Sequence, residues 1–184
     1  MSGMRRIRLA TAALLALTTG ALSVAMLASQ APKGDSGPFR LAVGEAARAA
    51  RYLASEPPRF EDARSATRSA LAQSPYDPSA WLRLAYIDAA EDGALDEAGV
   101  EALRRSYELL PFDQYVAIWR VRFALEHWDR LPADLRPRVK AEALAFTRTS
   151  RYREMQTTLR EVSNPVGRLP AALWSRRMRE DRAR

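Results

Sequence analysis

The sequence predicts an all-α protein, and three observations predict it. Ala, Glu, Lys, Leu and Arg supply 97 of the 184 residues, a bias typical of helical proteins. Residues that favour strands are scarce, with three Ile, eight Val and eight Thr. From residue 38 onward, apolar residues recur three and four apart, which places them on one side of a helix. The length suits one domain of ordinary size with an appendage. The chain has no Cys, which excludes disulfides, thiolate metal sites and Cys nucleophiles. Its single His, His127, excludes a His-rich metal centre and leaves few ways to build a hydrolytic triad.

The N-terminal region reads separately from the rest. Leu9 through Pro32 carry no charge, and the apolar part, Leu9 to Ala28, is 20 residues long. As a helix it would span roughly 30 Å, about one hydrocarbon core. Arg5, Arg6 and Arg8 precede it, and Lys33, Asp35 and Arg40 follow. The Arg excess before the span places the N-terminus in the cytoplasm and the body outside. Residues 1–30 therefore read as a membrane anchor, a single transmembrane helix over 9–28. Two alternatives stay open. One is a cleaved signal sequence, with small residues at Ser29-Gln30-Ala31 ahead of Pro32, or at Ser23-Val24-Ala25 inside the apolar run. The other is a buried core helix. Residues 31–37, APKGDSG, form a breaker-rich linker.

A helical domain follows over 38–163. Its first helix is predicted from Pro38 to Ser55, with Phe39, Val43, Ala46, Ala50 and Leu53 inward, and Pro57-Pro58 ends it. The second covers about 58–74, with Phe60, Ala63, Thr67, Ala70 and Leu71 inward. The third covers about 78–91, between the turn Pro75-Tyr76-Asp77-Pro78 and the breaker Asp92-Gly93. The fourth, about 95–110, is one-sided. Gly99, Val100, Leu103, Ser106, Tyr107 and Leu110 share a face, and Glu97, Glu101, Arg104, Arg105 and Glu108 form a solvated face. The fifth, about 113–129, has two apolar patches: Val116, Trp119 and Phe123, and then Ala117, Ile118, Val121, Leu125 and Trp128. Narrow polar strips, Arg120 with His127 and Arg122 with Glu126, separate them, so this helix sits between neighbours. The sixth runs from about 135 to 150, with a continuation to about 162. Trp81, Trp119 and Trp128 are expected to fill the core between small residues at Ala63, Ala70, Ala85, Ala98 and Gly99.

Pro75-Tyr76-Asp77 returns 36 residues later as Pro111-Phe112-Asp113, each time before an aromatic-bearing helix. Residues 58–128 resemble tetratricopeptide repeats, whose helix–turn–helix period is about 34 residues. Trp81, Leu84 and Ala85 match the Trp, Leu and small residue of the first helix. Gly99, Leu103, Ser106 and Pro111, and before them Ala63, Thr67, Ala70 and Pro75, match the second. The pattern departs where the expected Tyr is Asp88, and where Ala117, Arg120 and Val121 replace Trp, Leu and small. The resemblance implies a short stack of about three helical hairpins. A fainter similarity, carried by the runs Trp81–Ala85, Ala102–Ser106 and Arg120–Leu131 and a later Arg-rich helix, is to small helical proteins of bacterial envelope polysaccharide synthesis. Neither supplies a catalytic residue.

The sequence holds no glycine-rich phosphate loop and no H-E-x-x-H or G-x-S-x-G motif. No cofactor or metal is expected. Residues 31–167 carry 20 basic and 20 acidic groups, so the formal net charge of +7 belongs to the two ends. A neutral body argues against a nucleic-acid interface, which needs a basic surface tracking phosphates. Residues 164–184 form a basic tail in which Trp174, Arg176 and Arg177 suit a membrane surface; a solvated tail is the alternative. The candidate partner-binding residues are Arg83 and Tyr86 on the third helix and Tyr115, Arg122 and Glu126 on the fifth. The Arg122/Glu126 strip is either a groove or an internal ion pair. These readings lead to a non-enzymatic interaction module. It would be anchored in the bacterial inner membrane with its C-terminal domain in the periplasm, bound to a protein of the envelope assembly machinery that serves polysaccharide synthesis or export. The rivals are a glycan- or lipid-acting enzyme accessory and, with the anchor misread, a nucleic-acid-binding helical protein.

Overall fold

The computed structural model describes residues 41–184, and every described element is helical. The expected anchor at 9–28, the linker and the start of the first predicted helix lie outside the described residues. Among the described residues, no helix is long and apolar enough to cross a membrane. The chain divides into two compact units, Met1–Pro75 and Tyr76–Arg184, a boundary that falls inside the single 38–163 domain read from sequence.

The described part of the first unit is a helical hairpin, α1 (Ala42–Leu53) and α2 (Phe60–Gln73). On α2, Ala63, Thr67, Ala70 and Leu71 are buried as expected from their spacing. On α1 the expected face is displaced by about one residue. Val43 and Ala50 are exposed, while Gly44, Glu45, Arg48 and Ala49 are buried. The two buried charges pair with each other: Arg48 Nε donates to Glu45 at 3.2 Å and a second guanidinium nitrogen bonds the other carboxylate oxygen. Paired charges with their hydrogen bonds made can take positions that unpaired ones cannot.

The second unit opens with another hairpin, α3 (Pro78–Asp92) and α4 (Glu97–Leu109). Its ends are written locally. Asp77 accepts the Ser79 N–H at 2.9 Å with Pro78 in the first turn, and Gly93 closes α3 at φ 70°. Asp96 accepts the Gly99 N–H at 2.7 Å to open α4. α4 buries Gly99, Leu103, Ser106 and Tyr107 and turns its charges outward, where Arg104 meets Glu101 at 3.1 Å. Next come α5 (Ala117–Glu126), α6 (Arg136–Ala145), a 3₁₀ turn (Phe146–Arg148), α7 (Tyr152–Arg160) and α8 (Pro165–Ala183). α5 packs against α6, α7 and α8, which fits its two apolar sides.

Two segments differ from expectation. The long sixth helix is broken: Thr147 and Thr149 turn their hydroxyls onto the Leu144 and Phe146 carbonyls at 2.7 and 3.1 Å, competing with helical bonding, and the chain restarts as α7. The tail at 164–184 is a 19-residue helix that closes the core. Asn164 caps the Val166 and Gly167 N–H groups at 2.8 and 3.0 Å, and Pro165 sits where its missing N–H costs nothing. A Cβ on Gly167 would lie 2.0 Å from the Leu125 carbonyl oxygen, so glycine alone lets α8 approach α5 this closely. Trp174, expected at a membrane surface, is buried edge-on to Trp128 at 5.5 Å because its side of α8 faces the core. Trp81 and Trp128 are partly buried against the core, and Ala98 is exposed.

The second unit does contain an internal ion pair, but between Arg120 and Glu142 and not between Arg122 and Glu126. Neither side chain has exposed surface. Arg120 Nε donates to Glu142 at 3.1 Å, and one terminal nitrogen bonds the other carboxylate oxygen. The remaining donors reach the Ser106 carbonyl and hydroxyl, both at 3.0 Å, and the Leu110 carbonyl at 2.9 Å. The guanidinium lies 4.1 Å from the Tyr107 ring centroid. The Tyr107 hydroxyl is enclosed; burial and the nearby Glu142 push it well above its usual value.

Arg120→Ala, which takes the partner from Glu142, should lower unfolding free energy by about 3–5 kcal/mol in urea titrations at pH 8, and by less at pH 5, where the carboxyl is protonated. Replacing both partners, Arg120→Met with Glu142→Leu, should cost much less, because nothing charged is then left unpaired.

Burial raises the Glu142 carboxyl to about 7 against the pull of Arg120. Between its ordinary value of 4.5 and about 7, the folded protein holds this proton more firmly than the unfolded chain. Its contribution to stability is therefore full below about 4.5 and is lost as pH rises through about 7. Unfolding free energies measured from pH 4.5 to 8 should show this fall in the parent and lose it in Glu142→Gln.

Candidate functional site

Within the second unit, α3 and α5 frame a groove of about 230 Å³. From α3 come Tyr86, Ala89 and Ala90; from α5 and its end come Trp119, Arg122, Phe123, Glu126 and His127. Residues four apart on a helix share a face, and Trp119, Phe123 and His127 follow that spacing. They form a continuous row: Trp119 stacks on Phe123 with centroids 5.2 Å apart and planes 9° apart, and Phe123 meets the His127 ring at 4.7 Å. Tyr86 meets Trp119 edge-on at 5.6 Å across the groove. The two alanines keep the α3 wall low, which leaves Trp119 43% exposed.

The polar groups differ in how far they are committed. The Glu126 carboxylate accepts the Ser163 N–H at 2.9 Å, the Ser163 hydroxyl at 2.6 Å and the Asn164 N–H at 2.9 Å. Burial would raise this carboxyl, but the bonds from Ser163 and Asn164, with Arg122 nearby, outweigh it and hold the group below the usual range. Glu126 is thus a positioning group for the turn into α8. Arg122 is 47% exposed; its Nε lies 4.0 Å from Glu126 and one terminal nitrogen bonds Glu161 at 3.3 Å. That leaves donors for another molecule. Burial lowers His127 below its ordinary value, with Asp129 and Glu126 opposing. The groove therefore offers aromatic surface, one cation and one committed anion, a set suited to holding an apolar group and a hydrogen-bond acceptor.

Of the five partner-binding residues read from sequence, the structure brings Tyr86, Arg122 and Glu126 together. Arg83 lies outside the lining, with one terminal nitrogen enclosed and unbonded; burial lowers its value while Asp77 opposes. Tyr115 precedes α5 and is exposed away from the groove. Arg176 and Arg177 are exposed on α8, paired with Glu180 at 2.8 Å and Asp181 at 2.9 Å. The sequence reading missed Trp119, Phe123 and His127 as groove residues. Their four-residue spacing was visible, but an aromatic row reads equally as core until the opposing wall is known to be alanine. Among the described residues, no three of His, Cys, Asp and Glu converge into a metal-binding group. Comparison with protein-family models, with curated proteins and with solved structures returned no match.

Proposed function

We propose that this chain is a membrane-anchored protein-interaction module of the bacterial cell envelope. In this reading it is a short tetratricopeptide-like array that holds a partner of the assembly machinery for polysaccharide synthesis or export. The observation that carries the reading is the groove between α3 and α5, where a half-exposed Trp119 and a half-committed Arg122 stand side by side. Aromatic and Arg side chains combine apolar contact with directed hydrogen bonds, and they dominate the energetics of protein interfaces. The hairpins α1–α2 and α3–α4 support the repeat reading, and the uncharged segment 9–28 supports the anchor.

Fusing a reporter that works only outside the cytoplasm after Arg184 should give an active reporter; an inactive one overturns the topology and the envelope role. Arg122→Ala should keep the parent's melting profile to within about 1 kcal/mol, as exposed charges do. Trp119→Ala, which also gives up its ring contacts to Phe123 and Tyr86, should cost about 1–3 kcal/mol and still fold. Both should lose a protein crosslinked to the parent in intact membranes. Unchanged crosslinking in both variants removes the groove from the reading.

A further inference from the structure

α8 has a second apolar side. One side, with Ala171, Trp174 and Met178, is buried in the core. On the other, Val166, Leu169 and Leu173 are 53%, 67% and 58% exposed. Their spacing of three and four places them along one line of the helix, and the intervening Ala172 is exposed as well. The same outward side continues through Arg176 and Arg177. Residues 168–184 carry six Arg against Glu180 and Asp181. The two acidic groups form exposed pairs four residues apart with Arg176 and Arg177, pairs that contribute little and leave guanidinium donors unused.

We propose that the outer side of α8 lies on a bilayer surface rich in anionic phospholipid. Leu169, Leu173 and Val166 enter the boundary between headgroups and acyl chains, and Arg176 and Arg177 meet lipid phosphates. The charge distribution selects this occupant over a second copy of the chain. The body from 31 to 167 is neutral, and the positive excess is gathered on the helix that also displays the aliphatic stripe. A helix with an apolar line and an Arg-rich continuation binds in the plane of the interface by both forces at once. The proposal does not depend on the groove or on the anchor at 9–28. An apolar span would enter neutral and anionic bilayers alike, whereas α8 distinguishes them.

The absence of cysteine allows a single nitroxide label on the full-length chain at Ala172→Cys, beside the stripe and without removing it. On vesicles containing phosphatidylglycerol, the label should become accessible to oxygen and shielded from a water-soluble nickel chelate. On pure phosphatidylcholine it should stay in water. Leu169→Asp with Leu173→Asp should abolish the shift while leaving the circular dichroism melt unchanged, since both leucines are exposed. Arg176→Ala and Arg177→Ala should each reduce the lipid-facing population about fivefold. A label that stays in water on phosphatidylglycerol overturns the proposal. So does equal burial on both vesicle types, and so does spin–spin broadening without vesicles, which would show a second copy on this side.

Discussion

Arg120 has five N–H donors and no access to water, and the second unit is built around giving each of them an acceptor. The acceptors come from the last turn of α4, from the chain leaving it and from Glu142 on α6. One side chain on α5 thus fixes the spacing of three helices. An arrangement that moved α6 away would strand a charge in the interior, which costs more than most apolar rearrangements. A strip of carbon packing tolerates small slides between helices; a bidentate pair with backbone carbonyls on its other side does not. The Tyr107 ring against the guanidinium closes the remaining face.

Much of the architecture is written locally and is legible as such. The Pro75–Pro78 turn falls where the sequence places it, and Asp77, Asp96 and Asn164 each open a helix by bonds to N–H groups two or three residues on. Gly93 in the left-handed region marks the end of α3 as the sequence suggests. What stays hidden depends on distant partners. Glu45 and Arg48 look like solvent-facing charges, yet they are enclosed and paired with each other. Arg120 sits on a narrow strip between two apolar sides, which hints at burial, but its partner is 22 residues away and no local pattern names it. The break after Ala145 turns on hydroxyls of Thr147 and Thr149, residues that a periodicity count treats as neutral.

The tryptophans show the same limit for the site. Trp81, Trp119 and Trp128 read as core filler and Trp174 as a membrane-surface residue. Trp174 serves as core, whereas Trp119 is left half-open by Ala89 and Ala90 across from it. Which aromatic is wall and which is core is decided by the size of residues on another helix. Tyr86, Arg122 and Glu126 were placed together because helices three and five of a stacked array lie side by side. Tyr115 was misplaced because the chain there is still a turn, and the regular helix begins only at Ala117.

The junction at Gly167 ties two parts of this unit mechanically. α8 begins with its backbone against the Leu125 carbonyl, in the last turn of α5, and the next residue, Glu126, holds the chain entering α8 through Ser163 and Asn164. There is no side chain at 167 to deform and no flexible linker to absorb a displacement. The start of α8 and the end of the groove are therefore set by the same two residues of α5, Leu125 and Glu126.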